Sequence, residues 1–313
     1  MRQIATARRC PWCEDRRARL IWVEAGYGYV RCSSCGGVFS NLSACEYART
    51  RHNAWNDDLT SGATAAFYGA ARGPAQDEFL ERNPPVGNGR LLDVGCGLGF
   101  FLDRARRRGW EVQGVDTSPA WVEHANSLIG ARLVQCTSVE RASLAAGSFA
   151  LVTVWDVIEH IFDPVPFLAH LRTLLAPGGR LFIRTPNIAY CYPVYAGRRW
   201  LLGHDVELGP TNHVVYFTAA TMRDALGRAG LRASDWWVHV PPQVAPHQWA
   251  DSRGEVGVIA AKDAYARVAR ALARVSGGRL VLGSDLDVMC VADRIAAHPD
   301  DGPARVRRSR SEA

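Results

Sequence analysis

The sequence predicts an α/β protein, an open and mostly parallel doubly wound sheet preceded by a small cysteine ribbon. Three observations predict it. From residue 89 onward short apolar runs alternate with segments of helical periodicity. The first of those runs leads into a glycine loop, Asp93-Val94-Gly95-Cys96-Gly97-Leu98-Gly99, and the next closes on Asp116. Ahead of them, Cys10, Cys13, Cys32 and Cys35 form two Cys-x-x-Cys pairs.

The ribbon is expected over residues 1–40. A Cys-x-x-Cys turn aims two thiolates at one point, and two such turns supply the tetrahedral sulfur shell that Zn²⁺ prefers. The intervening "ARLIWVEAGYGYVR" alternates like a hairpin, and Gly36-Gly37 suits the sharp turn after the second pair. With four cysteines and no open position, the expected zinc is structural. Disulfides are the alternative, and the chain's expected cytoplasmic setting disfavours them. Cys45, Cys96, Cys136, Cys191 and Cys290 stand apart and read as small hydrophobes.

A connector follows over 41–88, with a helix expected to stop before Pro84-Pro85. The main domain is expected over 89–298. "RLLDV" reads as a buried strand, "FFLDRARRRG" as a helix ending at Gly109, "EVQGVD" as a second strand, and "SPAWVEHANSLIG" as a helix started by Ser118 and Pro119. "ARLVQC" is a third strand, "SFALVTVWD" a fourth, "DPVPFLAHLRTLLAPGG" a helix and "RLFIRTP" a fifth strand. Beyond them come the helix "TAATMRDALGRAG", the strand "LRASDWWVHV", the helix "DAYARVARALARV" and a last strand "SDLDVMCVAD". Segments 190–215 and 241–257, rich in Trp, Tyr, Pro and His, read as irregular loops of the kind that carry substrate contacts. The arginine-rich end, 299–313, reads as a disordered tail.

The glycine loop lacks the Lys-Ser/Thr of a phosphate-cradling loop, and Gly95 and Gly97 let a ligand approach the backbone closely. The Asp116 carboxylate can accept hydrogen bonds from both hydroxyls of a ribose. A dinucleotide dehydrogenase is the alternative for such a loop taken alone.

Taken together, "LLDVGCGLGFFL", "VQGVD", "SFALVTVWDVIEH", "LLAPGGRLFIRTPN" and "NHVVYFT" resemble, in order and spacing, the class I S-adenosylmethionine-dependent methyltransferases. The resemblance implies a Rossmann-like seven-stranded sheet with an antiparallel last strand. It implies that Asp93, Gly95, Gly97 and Gly99 hold the methionine end of the cofactor and Asp116 the ribose, with Thr117 beside it. Ser138 and Val139 would border the adenine, and Trp155 and Asp156 would lie beside the cofactor.

The stretch "WDVIEH" places Asp156, Glu159 and His160 at i, i+3 and i+4, so a helical turn would stack them on one face. His160 is expected to act as a general base toward the methyl acceptor, which needs in-line placement and removal of one proton. A second reading comes from relatives in ubiquinone and small-RNA methylation, which hold a divalent cation with a similar set. Asp156, Glu159, His160 and His213 would be its ligands here. A third leaves Glu159 and His160 as hydrogen-bonding loop residues. His204, His239 and His247 are weaker candidates, and Tyr190, Tyr192 and Tyr195 read either as acceptor contacts or as packing.

The composition is ordinary for a globular chain, 48% hydrophobic and 22% charged with a net charge of +6. No apolar run suits a membrane helix or a signal peptide, so a cytoplasmic protein without a membrane partner is expected. A cysteine ribbon before this kind of domain resembles bacterial methyltransferases of secondary-metabolite and sugar pathways, which makes a small molecule the expected acceptor, methylated at oxygen, nitrogen or carbon. In this chain "SNLSACEY" replaces the usual Asn-Pro-Arg continuation of the ribbon. RNA is the competing acceptor, with Arg8, Arg9, Arg16, Arg17, Arg19, Arg31 and Trp12 of the ribbon as its docking surface. A non-catalytic binding protein is the third possibility; it would have lost the cofactor residues, and all are present.

Overall fold

The computed structural model describes residues 3–5, 8–24, 27–43, 45–46, 62–202, 213–237, 265 and 267–293. The expected loop at 241–257, the tail at 299–313, and His204, His239 and His247 lie outside them. Among the described residues, no helix is long and apolar enough to cross a membrane.

The N-terminal strands β1 (Gln3–Ala5), β2 (Arg17–Glu24), β3 (Tyr27–Cys32) and β4 (Val38–Ser40) form an antiparallel sheet, with β2 and β3 as the expected hairpin. The helix α1 (Gly62–Arg82) then leads into the main domain and stops before the two prolines. Strands β5 (Arg90–Val94), β6 (Glu111–Asp116) and β7 (Val134–Cys136) alternate with helices α2 (Phe100–Arg107) and α3 (Pro119–Ile129). Next come β8 (Phe149–Trp155), α4 (Pro164–Leu174), β9 (Leu175–Pro186) and α5 (Ile188–Leu202). The described chain closes with β10 (Val215–Tyr216), α6 (Ala219–Arg228), β11 (Leu231–Trp237), a helix α7 over 267–275, and β12 (Asp285–Ala292).

The seven-stranded sheet runs β11-β12-β9-β8-β5-β6-β7. β9, β8, β5, β6 and β7 pair in parallel, whereas β12 is antiparallel to both of its neighbours. Successive side chains on a strand face opposite ways, which divides the core into two layers. Leu92, Val152, Leu181 and Val288 pack with Phe167, Leu171, Met222 and Leu226 on one side. Leu91, Leu151, Phe182 and Met289 pack with Phe79, Leu102, Trp110 and Ala125 on the other. β8 is buried at every position, as a strand inside a parallel sheet must be.

Four sequence expectations change. The segment from residue 190 is not irregular up to Leu202; it belongs to α5, whose start is tied by the Asn187 side chain accepting from the Ala189 N–H (3.2 Å). Pro193 removes one helical donor and is accommodated. The fourth helix ends at Leu174, and the Ala-Pro-Gly-Gly that follows is the start of β9. The third strand begins only at Val134, because the Asn126 side chain takes the Leu133 and Val134 N–H groups (2.9 and 3.0 Å). Finally, the ribbon sheet recruits a strand from the main domain: β10 pairs with β4, giving the order β1-β2-β3-β4-β10.

A buried ion pair ties β12 to β9. Arg184 donates to both oxygens of Asp287 at 2.6 Å, and Asp287 is fully buried. Removing one partner strands the other charge in a dry environment. Asp287→Ala is expected to lower the unfolding free energy by about 3–5 kcal/mol in urea titrations. The apolar double replacement Arg184→Met with Asp287→Leu is expected to cost less than that single change.

Candidate active site

Directly after β5 the chain turns across β6: the Gly95 and Cys96 N–H groups both donate to the Val115 carbonyl (2.8 and 3.2 Å). Gly95 has φ 70°, and a Cβ there would overlap the Val157 side chain. Gly97 has φ 54°, and Gly99 has φ 83° with no room for a Cβ beside the Ala125 backbone (2.8 Å). Gly95 and Gly99 require glycine, and the left-handed backbone at Gly97 favours it. Asp116 holds the loop in place, accepting from the Gly97 N–H through one oxygen and from the Ser118 N–H through the other, each at 2.9 Å.

Asp93 lies beneath the loop, buried, and accepts a 2.7 Å bond from the Thr153 hydroxyl. Burial pushes its carboxyl up to about 7, and the nearby Asp116 charge adds to this. Thr117 is exposed beyond Asp116, Ser138 is half-buried, and Val139 is buried, its carbonyl near His170 Nε2 (3.3 Å). The Trp155 side chain is a packing group. Its ring lies 5.3, 5.2 and 4.5 Å from those of Phe79, Phe101 and Phe182.

The chain after β8 is bent by Asp156, a non-glycine residue at φ 53°, and then makes a 3-10 turn over Ile158–His160. That geometry separates the residues expected to share one helical face. Asp156 turns to Arg72 of α1 (3.1 Å), while Glu159 turns inward and is 1% exposed. Thr185 donates to Glu159 Oε2 at 2.9 Å. Oε1 has no hydrogen-bond partner and lies 3.9 Å from His213 Nε2. Burial, and then the charge of Asp156, push the Glu159 carboxyl well above the usual carboxylate range. Burial and the neighbouring His160 lower His213 to about 3, so its imidazole is neutral and the contact is not an ion pair.

His160 is half-buried, and its ring stands 4.8 Å from that of His213 at a 70° angle. One donor atom from each of Glu159, His160 and His213 falls within 4.8 Å of the other two, a group that does not include Asp156. Such a cluster can accept a proton from an acceptor hydroxyl or take a cation. The glycine loop and this cluster are neighbours through Gly95 and Val157.

The methyltransferase-domain family matches residues 67–234. The chain belongs to this family. It is a class I S-adenosylmethionine-dependent methyltransferase. Among its relatives is the ubiquinone biosynthesis O-methyltransferase of Aeromonas salmonicida, 33% identical over 162 residues, covering 49% of this chain and 67% of that protein. The enzyme of the same name from Xanthomonas axonopodis pv. citri is 36% identical over 122 residues, or 37% of this chain and 51% of that protein. The chain thus spans about half to two thirds of the length of these relatives. A solved S-adenosylmethionine-dependent methyltransferase from Mesorhizobium loti is 20% identical and covers 72% of this chain and 99% of that one, with a TM-score of 0.47.

The four ribbon cysteines also converge. The Cys10–Cys35 and Cys13–Cys32 sulfurs are 3.5 Å apart, and all four lie within 4.8 Å of one another as free thiols. These distances are far beyond a disulfide bond and near the separation of about 3.8 Å expected in a tetrahedral zinc–thiolate shell. Gly37 makes room for Trp12, whose ring would stand 2.5 Å from a Cβ there.

Three contributors escaped the sequence reading. Thr185 orients Glu159, Arg72 holds Asp156, and Arg8 joins the ribbon to the loop after His160. Thr185 had one available signal, a hydroxyl among the apolar residues of a buried strand. Arg72 and Arg8 had none, since both contacts join segments distant in sequence.

The raised carboxyl of Asp93 makes a pH-dependent prediction. A group whose pKa in the fold lies above its unfolded value stabilises the protein at low pH and loses that contribution as pH rises toward the folded value. Asp93→Asn removes the titration and keeps an acceptor for Thr153. The stability of the variant relative to the parent is expected to grow from pH 3.8 to about 7 and then level off, as measured by denaturation at each pH.

Proposed function

We propose that the protein transfers the methyl group of S-adenosylmethionine to a hydroxyl of a small molecule, with His160 taking the hydroxyl proton. The observation that carries this reading is the juxtaposition of the glycine loop with the Glu159, His160 and His213 cluster, both at the carboxyl ends of adjacent parallel strands. The O-methyltransferase relatives support oxygen as the acceptor atom.

The loop of Gly95, Gly97 and Gly99 and the Asp93 carboxylate hold the methionine end of the cofactor. Asp116 accepts from the ribose hydroxyls, and Ser138 and Val139 border the adenine. Bound there, the sulfonium supplies an electrophilic methyl, so the chain's own task is placement and one proton transfer. His160, half-buried beside the neutral His213, is the accessible imidazole of the cluster. His213 and Glu159 form the buried wall behind it.

A second reading is favoured by the unpartnered Glu159 Oε1. A buried carboxylate oxygen flanked by two imidazoles suits a divalent cation held by Glu159, His160 and His213, which would lower the pKa of a bound hydroxyl. Asp156, occupied by Arg72, is left out of that set.

RNA docking draws little support. Trp12 is buried against Phe39 and Phe217, Arg8 is buried on Phe162, and Arg17 is paired with Asp15 at 3.0 Å. Cys10, Cys13, Cys32 and Cys35 fit a structural zinc, which would supply folding energy to a ribbon with little core of its own.

Asp116→Ala is expected to weaken S-adenosylmethionine binding at least about tenfold by calorimetry, in line with losing charge-assisted hydrogen bonds. Unchanged affinity would refute the cofactor assignment. His160→Ala is expected to lower kcat about 10²–10⁴-fold with cofactor affinity retained. In the zinc-loaded protein, a base role predicts full activity without added Mg²⁺ or Mn²⁺, and a cation role predicts activity that depends on adding one of them. A near-normal rate for His160→Ala would defeat both.

A further inference from the structure

The residues on the acceptor side of the site come from two segments of the main domain, and the ribbon holds both. On the His213 side, β10 pairs with β4, placing Val215 opposite Phe39 and Tyr216 opposite Val38. The Ser40 N–H donates to the Val214 carbonyl at 3.0 Å. Tyr29 stands edge-on to Tyr216 (5.4 Å) and Trp12 edge-on to Phe217 (5.6 Å). On the His160 side, Arg8 Nη2 donates to the Phe162 carbonyl at 3.1 Å, two residues beyond His160. The same guanidinium lies 3.8 Å from the Phe162 ring centre and 5.3 Å from that of Phe39.

Arg8 therefore sits between the strand that carries the His213 segment and the loop that follows His160. It is 7% exposed. Burying a guanidinium is costly, and here its planar face and its Nη2 donor offset part of that cost. The two segments also touch directly, through the Val214 N–H donating to the Glu159 carbonyl at 2.8 Å. The ribbon closes that contact from outside, although it lies beyond the family match at 67–234.

We propose that the cysteine ribbon is a clamp on the acceptor side of the site, and that Arg8 is a positioning residue setting His160 against His213. The proposal rests on the methyl-transfer reading above. Arg8 acts through Phe162 and Phe39 and reaches no reacting atom. A displacement of about 1 Å at such a site can cost about 10²-fold in rate, so a clamp of this kind has a kinetic consequence.

The test uses the full-length, zinc-loaded protein labelled with ¹³C-histidine, comparing the parent with Arg8→Ala and Arg8→Lys. His160 and His213 signals are assigned with single glutamine variants. Arg8→Ala is expected to keep a cooperative melt, its zinc, and S-adenosylmethionine affinity within about twofold, because the ribbon contacts described above lie on the acceptor side and not on the glycine loop. The His160 and His213 signals and their titration are expected to move, and kcat to fall about 10–100-fold. Arg8→Lys is expected to recover part of both. Unchanged histidine signals and titration in Arg8→Ala would overturn the clamp. If that variant does not fold, Arg8→Lys decides by the same readout: shifted signals support the clamp and unshifted signals overturn it. Failure of the parent to bind S-adenosylmethionine would instead defeat the methyl-transfer reading, and the histidine signals would still judge the clamp.

Discussion

The parallel register of β5 against β8 is the constraint on which the site depends. It sets Asp93 opposite Thr153 and Val94 opposite Val154, so the two chains leave the sheet side by side. One departs as the glycine loop and the other as the turn carrying Glu159 and His160. The Thr153 hydroxyl reports the same register by bonding to Asp93, and Gly95 reports it by leaving the volume that Val157 fills. A slip of one residue would turn Asp93 toward the opposite face and separate the loop from the turn. The proposed cofactor and acceptor sites thus share one geometric origin, at the carboxyl edge where open α/β sheets place their ligands.

Charge is handled differently in the scaffold and in the site. Arg184 and Asp287 are buried as a complete pair, with both carboxylate oxygens used. Glu159 and His213 each keep a buried atom without a hydrogen-bond partner, and burial is the leading cause pushing them and Asp93 toward their neutral forms. A buried group left short of partners costs stability, and sites retain such groups where a ligand completes them. Under the proposed function, the methionine end of the cofactor would bring an ammonium group to Asp93. Near Glu159 the completing group would be the acceptor's proton or a cation. The electrostatics of the site are therefore consistent with its proposed work.

Much of this was legible in the chain. The glycine loop, Asp116 at the end of β6, the largely apolar β8 and the paired cysteines each carry a local signal, and each stands where that signal put it. What escaped depends on partners far away in sequence. β10 is two residues long and becomes a strand only because β4 offers an edge, so its own sequence gives little warning. Asp156 shares the spacing of Glu159 and His160, yet its positive φ and the pull of Arg72 send it elsewhere. Trp155 lies in the expected place on the backbone, while the aromatic cluster of Phe79, Phe101 and Phe182 takes its side chain. Pro193 disguised α5 as a loop, because a proline penalty is visible in sequence and the packing that offsets it is not.

The central claim concerns where the methyl group goes. The most direct measurement incubates the purified protein with methyl-labelled S-adenosylmethionine and an extract of the producing organism, then separates acid-soluble small molecules from RNase-sensitive precipitate. The account predicts label in the soluble fraction, on an oxygen, and dependent on His160. Label confined to the RNase-sensitive fraction would contradict it and would make the exposed arginines of the ribbon, rather than the His160 cluster, the place to look for substrate recognition.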